Sequence, residues 1–219
     1  MRPIPAPLRT AILLTAVGLT LPAQAAQVAF DDSWKEQRFS LFSSNDYGFD
    51  GDTLTVESDG TVSLAYSPLP DTLWSATTAA WDWSVTESVP ASDLSVKGGD
   101  DRNLAMYFVF LPEAEADALR EESVRKLLTN DAARVLVYVW GGDHVRGDKL
   151  DSPYLGDRGK TIVLRPAGTG SETEAVDLAA DFNAAFGSDP TALVGVAVSG
   201  DSDDTESAIR ASVSNLSVE

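Results

Sequence analysis

The sequence predicts an all-β protein, a jelly-roll-type β-sandwich with one surface helix (about 113–128) and a short helical turn near 181–186. Three observations carry the prediction. Short segments alternate apolar and polar residues, turn signals separate them, and only one or two stretches show helical spacing. Three strands, moreover, are apolar on both faces and therefore belong in the middle of a layered body.

The first of these follows the turn Gly98-Gly99-Asp100-Asp101-Arg102: Leu104, Met106, Phe108 and Phe110 share one face, Ala105, Tyr107 and Val109 the other. The others are residues 134–140 and 193–199. Earlier in the chain, residues 30–49 are aromatic and polar without helical period, with Trp34, Phe39, Phe42, Tyr47 and Phe49. Leu54 and Val56, then Val62, Leu64 and Tyr66, alternate with polar residues around Asp59-Gly60, which predicts a hairpin with one wet face. Ser67 to Asp71, with two prolines, breaks it, and residues 74–86 form a strand with Trp81, Trp83 and Val85 on one face. Pro112, the first-turn acids Glu113, Glu115 and Asp117, and the last-turn bases Arg125 and Lys126 mark the surface helix. A loop dense in Gly and Asp, 141–158, holds the only histidine, His144, and leads to a short strand at 161–165. Phe182, Ala185 and Phe186 mark the helical turn, closed by Gly187 as a left-handed cap. A last strand runs from about Ser207 to Val218.

Residues 1–25 read as a secretory signal peptide: Arg2 and Arg9 flank a short apolar run from Ala11 to Leu21, and Ala23-Gln24-Ala25 supplies the small residues of a cleavage site. Residues 26–219 are then expected to form a single domain, periplasmic or secreted. The chain has no cysteine, which excludes a lipoprotein anchor, a disulfide, a thiol nucleophile and thiolate metal sites. The formal charge of −18 becomes −20 once Arg2 and Arg9 are lost with the leader. Such a field argues against nucleic acid and anionic lipid, and favours divalent cations or neutral and cationic ligands. No membrane insertion is expected, because the apolar run of the leader is too short to span a bilayer.

Several segments in order resemble a known family: Trp81-Asp82-Trp83, Asp100-Asp101-Arg102 before an aromatic strand, and Tyr138-Val139-Trp140-Gly141. Asp181-Phe182 leading to Phe186-Gly187, and Val196-Ala197-Val198 leading to Asp201-Ser202-Asp203-Asp204-Thr205, continue the pattern. Together they resemble the secreted bacterial family numbered 3047 among domains of unknown function. That resemblance implies a β-sandwich similar to galactose-binding-like and carbohydrate-binding modules, and it implies no activity.

Candidate site residues gather in three loops. Asp201, Asp203 and Asp204, with the Thr205 hydroxyl, offer hard oxygens suited to Ca²⁺, although the spacing is not that of an EF-hand: the sixth residue is Glu206 and the twelfth Ser212. The competing reading is an ordinary aspartate-rich turn. Asp100, Asp101 and Arg102 form either a corner lock or a bidentate arginine with an acceptor carboxylate for a polyol. Trp140, next to Gly141-Gly142-Asp143-His144, is the ring best placed by sequence to stack on a sugar, with Trp34 and Trp74 as alternatives. A lone histidine and no nucleophile elbow leave a carboxylate pair, Asp101 with Asp203 or Asp204, as the plausible catalytic machinery. The expected function is a non-catalytic binding module for a saccharide or other neutral polar ligand. A carboxylate-dependent glycoside hydrolase and an acidic protein-interaction domain are the alternatives.

Overall fold

A computed structural model describes residues 25–119, 126 and 129–219 of the chain. The predicted signal peptide, Ala25 apart, lies outside the described residues, as does most of the second half of the predicted surface helix.

Two sheets stack into a jelly-roll-type β-sandwich. The first is antiparallel throughout and runs β11 (Gly170–Asp177), β6 (Thr78–Glu87), β13 (Ala208–Val218), β4 (Thr53–Asp59), β3 (Asp46–Asp50), with β1 (Ala26–Gln27) beside the end of β13. The second runs β2 (Lys35–Arg38), β5 (Val62–Pro68), β12 (Ala192–Asp201), β7 (Arg102–Leu111), β8 (Arg134–Gly141), β10 (Gly156–Arg165), β9 (Lys149–Ser152). Its one parallel pair is β8 with β10. All three strands read as two-sided, β7, β8 and β12, are interior to this second sheet. The four border strands carry charge: Lys35, Glu36 and Arg38; Lys149 and Asp151; Glu172, Glu174 and Asp177; Asp46 and Asp50.

The period-2 rule places the core. Trp81 and Trp83 of β6 face Phe108 of β7 and Tyr138 and Trp140 of β8 across the interlayer space. Their rings tile at centroid separations of 5.5 Å (Trp81–Trp83 and Trp83–Trp140) and 5.9 Å (Trp81–Phe108), the range in which aromatic edges and faces attract. The helix α2 (Leu178–Phe186) adds Phe182 to this core, against Phe110. The Asp177 carboxylate accepts the Ala180 N–H at its N-terminus, and Gly187 ends it at φ 71°, the left-handed conformation glycine takes without steric cost. Asp181, on α2, accepts the Tyr138 hydroxyl, so the helix also satisfies the polar end of a buried ring.

The structure departs from the sequence reading in three places. Strands β4 and β5 are not a hairpin: they belong to different sheets, paired with β13 and β12. The turn at Asp59-Gly60 is therefore a crossing between layers. A second crossing, residues 202–207, lies beside it, and the Ser58 and Ser202 hydroxyls meet at 2.7 Å to tie the two together. Second, β11 reads as polar text yet is a full strand, because the carboxylate of buried Glu174 is held by Arg146 (2.7 Å) and Arg165 (2.8 Å). Third, the turn expected at 181–186 is a helix beginning at Leu178. Of the predicted surface helix, α1 is described over Glu113–Leu119, where Ala116 packs on the outer face of the second sheet, and most of the rest lies outside the described residues.

Candidate functional site

The outer face of the second sheet holds the site. Strands β7, β8 and β12 turn their second apolar face away from the core, and that face is built from small residues. Tyr107 and Val109 of β7 are flanked by Gly195 and Ala197 of β12 and by Val135 and Val137 of β8. Large residues on one face and small ones on the other leave a hollow of about 620 Å³ among the described residues. Its volume is in the range of small-molecule sites. Leu64 and Tyr66 of β5 wall one side; Leu94 and the Pro153-Tyr154-Leu155 turn wall the other. Trp74, whose carbonyl accepts the Leu193 N–H at the start of β12, marks one end with Ala116 of α1. Asp201, at the far end of β12, marks the other with Asp100, Arg102 and Asp203.

That polar end is organised by Arg102. Its Nη1 donates to the Asp100 carbonyl (2.8 Å) and carboxylate (2.9 Å) and lies 3.2 Å from the Asp201 carboxylate; its Nη2 donates to the Tyr107 hydroxyl (2.9 Å). Tyr107 and Ser199 share a hydrogen bond of 3.1 Å, and the Tyr154 hydroxyl donates to Asp100 at 3.1 Å. Gly141 allows this packing, since a methyl there would sit 2.8 Å from the Arg102 Cα. Burial opposes the Arg102 charge, but Tyr107, Asp201 and Asp100 outweigh it, so the guanidinium stays protonated. Burial raises the Tyr154 phenol, with Asp100 adding to the effect. Asp201 is the unusual group. Burial pushes its carboxyl up to about 8; Arg102 opposes that, and the neighbouring Asp203 and Asp101 charges add to it. Its Oδ1 is buried with no hydrogen-bond partner.

Asp101 turns away from the hollow. It is wholly buried, and its carboxylate accepts the backbone N–H groups of Thr205 (2.8 Å) and Asp204 (3.3 Å) together with the Thr205 hydroxyl. It thus caps the crossing between β12 and β13. Within that crossing Glu206 takes φ 49°, a conformation that carries a steric cost for a side chain. Asp204 is exposed at its side chain and contributes its amide to Asp101; burial and then the Asp203, Asp101 and Asp100 charges raise its carboxyl.

Trp140 is a correction. The sequence places it at the rim, whereas its ring is 3% exposed and packs on Trp83 inside the sandwich. A strand apolar on both sides gives no sign of which side is the interior, and Trp140 follows Tyr138 and Leu136 inward. Trp74 is the tryptophan that reaches the hollow. Asp143 and His144 do not line it either. Their loop braces the segment behind Leu94: the Asp143 N–H donates to the Ser92 carbonyl at 2.8 Å, and a methyl on Gly142 would meet Leu94 at 2.6 Å. The His144 side chain is 16% exposed, with Nδ1 3.1 Å from Asp143 and Nε2 3.6 Å from Asp93. The structure therefore brings together Asp100, Arg102, Asp201 and Asp203, with Asp101 directly behind them. Tyr107, Ser199 and Tyr154 complete the polar end. None of the three stands in a motif, although Tyr154 does interrupt a Gly/Asp-rich loop with a Ser-Pro-Tyr step.

Over residues 32–217 the chain matches the family described as Protein of unknown function (DUF3047), and it belongs to that family. No curated protein matches it. Among solved structures, the xyloglucanase domain of NopAA, a type three effector from Sinorhizobium fredii in complex with cellobiose, is similar at 10% identity and a TM-score of 0.44. The match covers 91% of this chain and 99% of that one. The family 11 xylanase from Neocallimastix patriciarum is similar at 12% identity and a TM-score of 0.44, covering 89% of this chain and 94% of that one. Likeness at this level says nothing of what this chain binds. Among the described residues no helix is long and apolar enough to cross a membrane.

Proposed function

We propose that the protein is a non-catalytic binding module, working in the periplasm or outside the cell as a single domain. Its ligand is neutral and amphiphilic, and a saccharide carrying an apolar substituent is the class that fits. One observation carries this reading: the hollow has an aliphatic floor, and its carboxylates are gathered with Arg102 at one end. A plain oligosaccharide laid along Val109, Val135, Val137 and Ala197 would leave hydroxyls unpaired, at about 1–3 kcal/mol each. A sugar seated at the acid end, with its apolar substituent on that floor, meets both surfaces. Asp203, Asp100, Ser199 and Tyr154 would accept or donate to hydroxyls, while Tyr66 and Trp74 border the apolar part.

Binding is favoured over hydrolysis because of where the carboxylates stand. Asp101, the fixed member of the pair that hydrolysis would need, spends both oxygens on the 204–205 backbone. It also shares one corner with Asp203, rather than facing it across the hollow.

The test is titration of the purified chain with octyl glucoside below its micellar concentration, followed by calorimetry and tryptophan fluorescence, with glucose alone as the comparison. Saturable binding of the alkyl glucoside, at least about tenfold tighter than glucose and lost in Ala197→Trp with an unchanged circular dichroism spectrum, is expected. No binding, or binding that survives the filled hollow, would overturn the reading. Turnover of an aryl glycoside that disappears in Asp203→Asn would replace it with a hydrolase.

A further inference from the structure

We propose that the corner where β12 crosses to β13 is a divalent-cation site, with Asp101, Asp201 and Asp203 as its carboxylate ligands and Ca²⁺ as its ion. One oxygen from each of the three lies within 4.8 Å of the others, although Asp101 comes from a different part of the chain. Acidic corners are common, and by themselves they indicate nothing. What singles this one out is the Asp201 carboxylate. The residue is 6% exposed, Arg102 takes Oδ2 at 3.2 Å, and Oδ1 is left buried without a hydrogen-bond partner. Buried polar atoms in folded proteins almost always find a partner.

Among the described residues no N–H or hydroxyl donates to Asp201 Oδ1. Every N–H and hydroxyl that reaches Asp101 is a backbone or side-chain group of residues 204 and 205. Each carboxylate oxygen has two lone pairs, so Asp101 Oδ1, with one long bond of 3.3 Å, keeps a free coordination position. Arg102 pairs with Asp100 and Asp201, and the Asp101, Asp203 and Asp204 carboxylates stand close by. A doubly charged ion among three carboxylates would relieve both the unpaired oxygen and the repulsion.

The donor set selects the ion. All three ligands are hard oxygens, with no imidazole or thiolate among them, which favours Ca²⁺ or Mg²⁺ over transition metals. Ca²⁺ accepts oxygen ligands in flexible geometry, whereas Mg²⁺ demands a near-ideal octahedron and dehydrates reluctantly, so a corner of two buried carboxylates and one exposed one suits Ca²⁺ better. Asp203 is exposed, so the remaining positions open to water. The sequence reading drew Asp204 into this set. The structure puts Asp101 in its place, with Asp204 serving through its amide.

The experiment needs no knowledge of the hollow's ligand, so its failure and the failure of the binding reading are separable. The purified chain is stripped with EDTA, dialysed, and titrated with CaCl₂ while the melting temperature and the heat of binding are recorded, at ionic strength held constant. One Ca²⁺ per chain, with a dissociation constant in the roughly 0.1–1 mM range of extracellular sites and a saturable rise in melting temperature, is expected. MgCl₂ should do far less. Asp203→Asn, an exposed position that leaves the fold intact, should weaken Ca²⁺ at least tenfold, and Asp204→Asn should not. A wild-type chain whose melting temperature and calorimetric trace ignore Ca²⁺ overturns the proposal. So does Asp203→Asn that binds as tightly as wild type.

Discussion

The two faces of β7 make an instructive pair. Inward, Leu104, Met106, Phe108 and Phe110 meet the opposite sheet and are fully buried; outward, Ala105 and Leu111 are buried too, but Tyr107 and Val109 between them line the hollow and keep some exposure. Both faces are apolar, so hydropathy alone treats them alike. Side-chain volume separates them. The inward face carries rings that fill the interlayer space, whereas the outward face, continued by Ala197, Gly195, Val135 and Val137, is too shallow to fill its own concavity. An apolar face left incompletely covered is where a protein can receive a ligand.

Substitutions sharpen this contrast. The largest effect should come from the inward face: Trp140→Ala is expected to cost about 3–5 kcal/mol in chemical denaturation, since the ring is enclosed on all sides. Had Trp140 been a ligand platform, the change would leave stability nearly untouched. Glu174→Gln should follow at about 1–2 kcal/mol, less than for a fully buried ion pair because Arg146 is half exposed. Burial works to raise the Glu174 carboxyl, but the bonds from Arg146 and Arg165 prevail and hold it below its usual value. Its stabilisation is therefore complete above about pH 4.5 and fades as pH falls through the lowered pKa, whereas the Gln variant should show no such component. Denaturant midpoints between pH 7 and pH 3 measure this. On the outward face, Val137→Ala is expected to cost only about 1 kcal/mol, because the hollow is already there and no sealed cavity forms. Smallest of all is Ala197→Phe, expected within about 1 kcal/mol of wild type while octyl glucoside binding is lost. A large destabilisation there would mean that the hollow is closed.

How much of this could be read beforehand follows from the same physics. The interior position of β7, β8 and β12 was legible, because a strand greasy on both sides has nowhere else to go. The inward face of β6 was legible too, since Asp82 and Ser84 alternate with Trp81 and Trp83. Strand β11 was not, because Glu174 looks like a surface residue until Arg146 and Arg165, from other strands and loops, are seen to neutralise it. The Asp59-Gly60 turn was recognised as a turn, but turn chemistry does not say whether the chain returns along the same sheet or crosses to the other. For the site, the acidic turns were visible and their convergence on Arg102 followed. Which aspartates face the hollow was not visible, as Asp100 and Asp101 are adjacent and point to opposite sides. Trp140 failed for the reason that made its strand easy to place: two greasy faces carry no label.

The charged border strands have one further consequence. Lys35 and Arg38, Lys149 and Asp151, Glu172 and Asp177, and Asp46 and Asp50 stand along the end strands of the two sheets, whose outer backbone groups another chain could pair with. Charge along such edges disfavours edge-to-edge pairing between copies. With no cysteine in the chain, no disulfide supplements that protection.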